Sequence, residues 1–532
     1  MKSLSKNRSE QIRHLTQIGV ALSAERNLDR LLEMIINEAR RLTGADGGTL
    51  YILTEDAAEL QFAIIQNDTL AIRMGGTGNR ISWPPVKMRG SDLEENRSQV
   101  SAYAALTGEV VNIPDVYDAV GFNFEGTRVF DAHTGYRSKS MLVVPMRNHE
   151  NDIIGVVQLL NAIDGKSGSI VPFSAESQMM AESLASQAAV ALSKNRLIQD
   201  LEVLLQSFIT TIATAIDEKS PYTGGHVRRV ADLTMAIAEK INAQESGPFA
   251  GRRFSDDEMQ ELHFAAWLHD VGKITTPEFV VDKATKLETI CDRIEILKAR
   301  TCVMIKDRQI EQLREALRNV APGKIDETIL ENDSFVETLR EDMKFLARIN
   351  AGNEFLSNED LARLTEITQR QWKADGHRLP FVTDDEFENL RVRKGTLTNR
   401  ERDIINNHVT VTFKMLAKLP FPKKLRHIPD YAGAHHEKLD GTGYPAGLKD
   451  DQLSLQSRMI ALADVFEALT AKDRPYKKGK TLQEALKIMK EMVRDRHIDV
   501  DLFDLFIQEK IYLDYAIREL APQQIDRLDA SF

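Results

Sequence analysis

The chain has 532 residues, which at roughly 150 residues per domain corresponds to three or four structural units. Its 69 Lys and Arg against 80 Asp and Glu give a net charge of −11, and this balance disfavours non-specific nucleic-acid binding, which needs a basic surface. No apolar stretch approaches the roughly 18 residues of a membrane span, and the start has no apolar core like that of a signal peptide. We therefore predict a cytoplasmic protein without membrane contact.

The two cysteines, Cys291 and Cys302, are too few for a disulfide framework and have no CxxC spacing for a structural zinc site. On one helix they would share nearly the same face but lie about 16 Å apart, too far for a bond within the chain. We interpret them as ordinary thiols of a reducing cytosol. The alternative is a bond between the chains of a parallel dimer.

The N-terminal third changes its hydrophobic period along the chain. Residues 1 to about 40 have helical spacing, and we assign 1–18 to a separate N-terminal helix. After Gly44, the segments ADGGTLYIL and LQFAIIQ are typical of strands joined by the polar turn TEDAAE. SMLVVPM and IIGVVQLLNA form the clearest predicted hairpin, and a long helical stretch follows Phe173. This order predicts an α+β domain over 19–195.

The 19–195 segment resembles a GAF domain, a small-molecule sensor module, on RLTGADGGTLYIL, VVPM, IIGVVQLLNA and the closing helix. The resemblance implies a small-molecule ligand of unknown identity. In the signature of cyclic-nucleotide-binding members, Asn161 and Phe173 match. Ala162 replaces the expected Lys, and Ser177-Gln178 replaces Asp-Glu, which argues against a cyclic nucleotide.

A helix is predicted from about 177 to 220, with its linker portion at 196–220, because Gly and Pro are almost absent there. Two interpretations stay open for its apolar stripe. It packs against its twin as a signalling coiled coil, or it is the first core helix of the next domain. The first interpretation predicts a homodimer. The stripe consists of Leu197, Leu201, Leu204, Leu205, Phe208 and Ile212.

Ligand-type residues concentrate in the C-terminal half, in five separated segments. Five histidines and two aspartates are too many for one metal ion and suit two octahedral ions that share a bridging carboxylate. Nitrogen and oxygen donors without thiolate favour Fe or Mn, with Zn, Co and Ni as alternatives. Two such ions can activate water at neutral pH and hold both oxygens of an in-line phosphoryl displacement. The candidate ligands are His226, His269, Asp270, His408, His435, His436 and Asp464.

The adjacent pair His269-Asp270 carries most weight in this prediction. It stands in the otherwise apolar helical segment FAAWLHDVGKI, where packing would exclude a charge unless a metal compensated it.

This half resembles the HD-GYP family of HD phosphohydrolases on the motifs HDVGK, HHEKLDGTGYP and DVFEALTAKDRPYK, which occur in family order. The resemblance implies an all-α domain, which we place at 205–520, that hydrolyses cyclic di-GMP. It also implies that Asp270 bridges two metals and acts catalytically with Lys273, which contacts the scissile phosphate. The implied substrate-binding residues are Gly443, Tyr444 and Pro445 in a shaping loop, and Arg474 and Lys477 on phosphate or guanine.

Two single-residue departures from the family pattern bear on the site. Family members with three metals have an acidic residue four positions before the first histidine, where this chain has Tyr222, so we predict two metals. Ser220 replaces a common Asp, and we expect this replacement to weaken one substrate contact.

A largely helical insertion is predicted at 289–392, between two echoes of one family loop, DKATKLE and RKGTLTNRE. Its predicted helices run through Leu287 and Ile290 toward Leu317, and over 335–349 and 360–372. It is either a solvent-facing bundle or a lid or partner-docking element. We favour the second interpretation, because long insertions beside active sites are usually functional.

The combined prediction is a multidomain protein with an α+β GAF-like sensor and an all-α HD-GYP phosphodiesterase. It would hydrolyse cyclic di-GMP to pGpG and then GMP under control of the GAF domain. One alternative is a catalytically weak cyclic-dinucleotide receptor that signals to a partner protein. The other is a phosphodiesterase for cyclic GMP-AMP.

Overall fold

The computed structural model describes residues 13, 15–25, 27–90, 94–219, 224–319, 333–374, 376–472 and 479–526. The chain divides into two compact units, Met1–Leu204 and Leu205–Phe532. The predicted fold class is confirmed, because an α+β unit is followed by a largely helical one. Along the described residues, no helix combines the length and apolarity that crossing a bilayer requires.

An antiparallel sheet forms the centre of the first unit. Its strand order is β3-β2-β1-β7-β6-β5, with β4 also paired to β2 and β8 to β7. Both predicted strand pairs are present, β1 with β2 and β6 with β7. The strands are β1 (Ala45–Leu53), β2 (Glu59–Asn67), β3 (Ile72–Gly75), β4 (Val86–Lys87), β5 (Val111–Ile113), β6 (Met141–Arg147), β7 (Ile153–Ile163) and β8 (Ile170–Val171).

Helices cover both faces of this sheet. On one face, Leu31 and Ile35 of the first helix and Leu184 of the long helix pack on strand residues such as Leu159. On the other face, the short helix with Ala104 closes a second apolar cluster. The helices are α1 (Leu28–Thr43), α2 (Val100–Thr107), α3 (Glu125–Thr134) and α4 (Ala175–Asp217).

The helical spacing up to about residue 40 belongs to two separate helical stretches among the described residues. A helical stretch at 15–24 ends before α1, because the side chain of Asn27 accepts a 3.0 Å hydrogen bond from the Arg30 amide and starts a new helix there. The helix predicted over 1–18 lies mostly outside the described residues.

One apolar core holds the second unit together. Its members include Val230, Phe264, Phe466 and Phe506, all fully buried. The helices that frame the core are α5 (His226–Ala243), α6 (Asp256–Leu268), α7 (Glu278–Val281), α12 (Asn399–Leu416), α13 (Ile428–Ala432), α14 (Leu455–Thr470), α15 (Leu482–Arg494), α16 (Val500–Gln508) and α17 (Ile511–Glu519).

The inserted segment has an apolar core of its own, which includes Leu297, Leu339, Leu364 and Phe381. Two details of its prediction are wrong. The first helix begins at Ile294 instead of Leu287, so Cys291 precedes the helix while Cys302 lies in it. Trp372 belongs to a hairpin strand instead of a helix. The elements are α8 (Ile294–Asn319), α9 (Ser334–Asn350), α10 (Asn358–Thr368), β9 (Gln371–Ala374), β10 (His377–Pro380) and α11 (Asp384–Leu390).

Two buried lysines join the two ends of the insertion. The Lys283 ammonium donates to the Glu401 carboxylate at 2.7 Å and to the Asn389 side chain at 2.8 Å. The Lys286 ammonium donates to the carbonyls of Leu390 at 3.0 Å and Val392 at 2.7 Å. The two echoes of the family loop are therefore neighbours in space, and the insertion leaves and re-enters the fold at one place.

Burial lowers the pKa of Lys286 from 10.5 to about 8. Between these values the unfolded chain holds more protons than the folded one, so stability rises with pH through this window. We expect the melting temperature of the wild type to rise relative to Lys286→Met from about pH 8 to about pH 10, measured by calorimetry. The same comparison with the exposed Lys298→Met serves as control and should show no such trend. Parallel pH profiles for both variants would contradict the assignment.

Candidate metal centre

The sequence had suggested that the His269-Asp270 pair lies within a helix. In the structure the pair lies at the end of a helix. His269 caps the C-terminus of α6, and Asp270 leads into a short 3-10 turn, Val271–Thr275. The turn packs on α12, since the Gly272 amide donates to the Thr412 hydroxyl at 2.9 Å. A Cβ at Gly272 would lie 2.0 Å from the His408 carbonyl oxygen, so only glycine permits this approach.

Three of the predicted histidines are held in the same way. The Nδ1 atoms of His269, His408 and His435 lie 2.7, 2.5 and 2.7 Å from the backbone carbonyl three residues earlier. Each Nδ1 therefore carries the proton and each Nε2 presents a lone pair. These Nε2 atoms, and that of His226, are buried without a hydrogen-bond partner among the described residues. Such unpartnered acceptors fit a metal ion.

His226, the first residue of α5, is held by a carboxylate instead of a carbonyl. Its Nδ1 lies 2.5 Å from Oε2 of Glu467, and the Arg229 guanidinium donates to Oε1 of Glu467 at 2.7 Å. Glu467 and Arg229 were missed by the sequence analysis. The available signal was the spacing of Glu467 three residues after Asp464, which places both carboxylates on one side of α14.

The Asp270 carboxylate stands between two sets of imidazoles. Its Oδ2 lies 3.4 Å from His226 Nε2 and 3.3 Å from His269 Nε2, and its Oδ1 lies 3.1 Å from His408 Nε2. Asp464 joins the first set, with its Oδ1 3.3 Å from His226 Nε2.

All seven candidate ligands converge, and they form overlapping groups whose donor atoms lie within 4.8 Å of one another. One group takes its donors from α5, α6 and α14, and another takes them from α12 and the segment after α13. These residues can hold metal, and their nitrogen and oxygen donors suit a divalent transition ion. The groups are His226, His269 and Asp464; His408, His435 and His436; and His269, Asp270 and His435.

The carboxylates of the site are ionised. Burial raises the pKa of Asp270, but the Lys273 ammonium and the His269 imidazole outweigh this effect and hold the pKa well below its usual range. Burial also raises the pKa of Asp464, and the His226 imidazole brings it well below the ordinary value.

The pKa values of His435 and His436 are shifted in the opposite direction from that of His226. Burial lowers the pKa of His435 well below its ordinary value and that of His436 to about 4, so both are neutral donors. Burial also lowers the pKa of His226, but the Glu467 carboxylate raises it, with a net shift well above the ordinary value. The buried carboxylates thus need positive charge, which a proton or a metal ion supplies.

The predicted substrate loop lies against the centre. The Tyr444 ring stacks on His436, with centroids 5.0 Å apart. A Cβ on Gly443 would lie 2.4 Å from the Lys438 amide nitrogen, so the loop needs glycine there. The Glu437 carboxylate, also missed by the sequence analysis, accepts from the Ala446, Gly447 and Leu448 amides just after Pro445. Arg474, Lys477, Ser220 and Tyr222 lie outside the described residues.

A small cavity beside the centre is lined by Asp270, His226, Lys273 and Glu278. The Lys273 ammonium pairs with Asp270 and remains one quarter exposed. Lys219, which the sequence analysis did not single out, lines the same cavity and donates to the carbonyls of Ile274 and Thr276 at 2.7 Å each.

Comparison with known proteins agrees with this architecture. A GAF domain model matches residues 27–192, and two HD domain models match 223–323 and 385–502. The chain is 26% identical over 290 residues (54% of this chain, 36% of the relative) to 3'3'-cGAMP-specific phosphodiesterase 3 of Vibrio cholerae. It is 39% identical over 116 residues (22% and 27%) to a cyclic di-GMP phosphodiesterase of Pseudomonas aeruginosa. It is 26% identical over 221 residues (39% and 58%) to a cyclic di-GMP phosphodiesterase of Thermotoga maritima.

The fold and the site thus define a GAF domain followed by an HD domain whose side chains form groups able to hold metal. Its resemblance to HD-GYP proteins with an N-terminal GAF domain is confirmed. The matched segments span only 36%, 27% and 58% of the lengths of these three relatives.

Because Glu467 fixes the orientation and charge of His226, we expect Glu467→Gln to lower metal affinity about 10- to 100-fold without unfolding the chain. Gln preserves the size of the side chain, whereas the negative charge is lost. The measurement is bound metal per chain after dialysis against graded chelator. The exposed Glu491→Gln is the matched control, and equal metal retention in the two variants would refute a positioning role for Glu467.

Proposed function

We propose that the chain is a metal-dependent phosphodiesterase that hydrolyses cyclic di-GMP to pGpG, and then to GMP, under control of its GAF domain. The observation that carries the proposal is the position of Asp270 between two ligand sets. This arrangement is what a two-metal centre with one shared carboxylate requires, and the proposed number of ions is therefore two, with Fe or Mn preferred. Once bound, such ions would polarise a phosphate and activate water.

The chain's own residues supply the remaining requirements. Lys273 is a partly exposed cation next to Asp270, so it is positioned to stabilise negative charge on the scissile phosphate. Tyr444 stacks on His436 beside the centre, while Gly443 and Pro445 shape the loop around it. In the hydrolysis, the oxygen of water bonds to phosphorus, one bridging P–O3' bond breaks, and the leaving oxygen receives a proton.

The second candidate substrate is 3'3'-cGAMP. It is supported by the names of two relatives, both cGAMP-specific phosphodiesterases of Vibrio cholerae. The two cyclic dinucleotides differ in one purine, so a site that grips the phosphates alone would accept both. Cyclic di-GMP is preferred because relatives from other genera carry that name.

Hydrolysis of both dinucleotides is the direct test. Protein purified without oxygen and loaded with Fe(II) or Mn(II) is expected to release pGpG from cyclic di-GMP. Asp270→Ala should abolish turnover, because neither ligand set would keep its shared carboxylate. Asp514→Ala, an exposed carboxylate on α17, should leave turnover unchanged.

Three other outcomes would change the proposal. Faster turnover of 3'3'-cGAMP would make it, instead of cyclic di-GMP, the proposed substrate. Binding of the dinucleotide to metal-loaded protein without turnover would favour the receptor, with the insertion signalling to a partner protein. If the metal-loaded protein neither binds nor hydrolyses the dinucleotide, a cyclic dinucleotide is refuted as the ligand.

We also propose a homodimer through α4. This helix exposes an apolar stripe at Leu197, Leu201, Leu204 and Phe208, each more than half exposed. The spacing of four, three and four residues is that of a coiled coil. An apolar stripe of this spacing is stabilised by a second copy of itself.

Leu201→Asp places a charge in the centre of this stripe and is expected to convert the dimer to a monomer, measured by light scattering after size-exclusion chromatography. Gln199→Asp adds the same charge on the outer side of the heptad, and we expect it to remain a dimer. A monomeric wild type, or a dimeric Leu201→Asp, would refute the stripe as the interface.

A further inference from the structure

A cleft of about 1000 Å³ lies at the base of the insertion, within the second unit. Its walls come from α11, the segment before α12, the first turns of α12, and Phe279 of α7. None of the seven candidate metal ligands lines it. A volume of this size is at the upper end of the range for small-molecule sites.

The cleft is cationic although the chain as a whole is acidic. Six Arg and Lys side chains and three Asp and Glu side chains line it. Each of the three acids already has a cationic partner: Asp385 pairs with Arg293, Glu388 with Arg391, and Glu401 with Lys283. The acids of the cleft therefore leave the remaining cations uncompensated.

Lys394, Arg400 and Arg402 are these uncompensated cations. All three are exposed, and none has an ion pair within the part of the chain that the structure describes. Arg393, nearby, is held by the Leu356 carbonyl at 2.7 Å and carries no acidic partner. Like charges concentrated over nine residues repel one another, and a phosphate anion relieves that repulsion. The planar guanidinium also matches phosphate geometry with two parallel hydrogen bonds.

An exposed aromatic ring stands in the same cleft. Phe279 is 41% exposed, and apolar side chains such as Leu361 and Ile404 accompany it. An exposed ring beside guanidinium groups is a platform on which a nucleobase stacks. We propose that this cleft binds a phosphorylated nucleotide, with Lys394, Arg400 and Arg402 on its phosphates and Phe279 on its base.

This second site is connected to the metal centre through α7. Phe279 lines the cleft, while its neighbour Glu278 lines the small cavity that also contains Lys273 and Asp270. An occupant that moves Phe279 therefore acts on a four-residue helix that borders both spaces. That the nucleotide regulates hydrolysis rests on the proposed phosphodiesterase activity, whereas its binding does not.

The test is binding of pGpG to the metal-stripped full-length protein by equilibrium dialysis, with circular dichroism to show that the fold is retained. Stripping the metal removes the requirement for a working catalytic centre. We expect saturable binding that weakens at least tenfold in the double variant Arg400→Glu/Arg402→Glu. Both substitutions place Glu in the first turn of α12, where negative charge is compatible with the helix, so the variant should fold. Lys414→Glu, farther along the same helix, should bind like the wild type.

The variant Phe279→Ala distinguishes the contribution of the base to binding from that of the phosphates. It is expected to weaken pGpG binding while leaving the affinity for inorganic pyrophosphate, measured by competition, unchanged. Absence of saturable binding, or equal binding by the arginine double variant, would overturn the site. Pyrophosphate that competes as strongly as pGpG would overturn its assignment to nucleotides. Hydrolysis by the metal-loaded protein is measured separately, so either proposal can fail without the other.

Discussion

The second unit is arranged around one buried carboxylate, Asp270, which faces imidazole nitrogens on both of its oxygens. Four imidazole nitrogens of the site, the Nε2 atoms of His226, His269, His408 and His435, are buried without a hydrogen-bond partner among the described residues. Each such group costs about 1–3 kcal/mol if nothing satisfies it. The fold nevertheless holds them in place through backbone carbonyls and Glu467, at a site whose carboxylates need a cation. Without a cation, the unpartnered nitrogens and buried carboxylates would destabilise the folded state, so this geometry fits a metal centre.

The supporting contacts explain why a long insertion does not disturb this centre. The inserted helices bury their own apolar residues in a separate cluster. Lys283 and Lys286 join both ends of the segment through hydrogen bonds to residues 389–401. The insertion therefore leaves and re-enters the surrounding fold at one junction, which lies next to the start of α12, the helix that carries His408.

Motif spacing predicted the seven ligands because metal chemistry demands particular donor atoms. The sequence could not show that His269-Asp270 ends a helix, since that turn depends on Thr412, which is 140 residues from Gly272. Local pattern also missed Glu467 and Glu437, whose partners are distant side chains or a folded loop. In the GAF domain, Asn161 matched a ligand signature, yet its side chain accepts from the Lys139 amide at 2.7 Å and donates to the Arg137 carbonyl at 2.8 Å. A matched residue can therefore have a backbone-bracing role.

The net charge of the chain also does not predict where a charged ligand can bind. The net charge of −11 is a global sum, and binding responds to local fields. The start of helix α12 carries the cations Arg400 and Arg402. The candidate metal ligand His408 follows on the same helix, six residues after Arg402. At 1.5 Å per residue, the separation from Arg402 along the helix is about 9 Å. Because Glu401 in the first turn of α12 accepts from Lys283 at the junction of the insertion, the insertion and the candidate metal ligand His408 are linked through one helix.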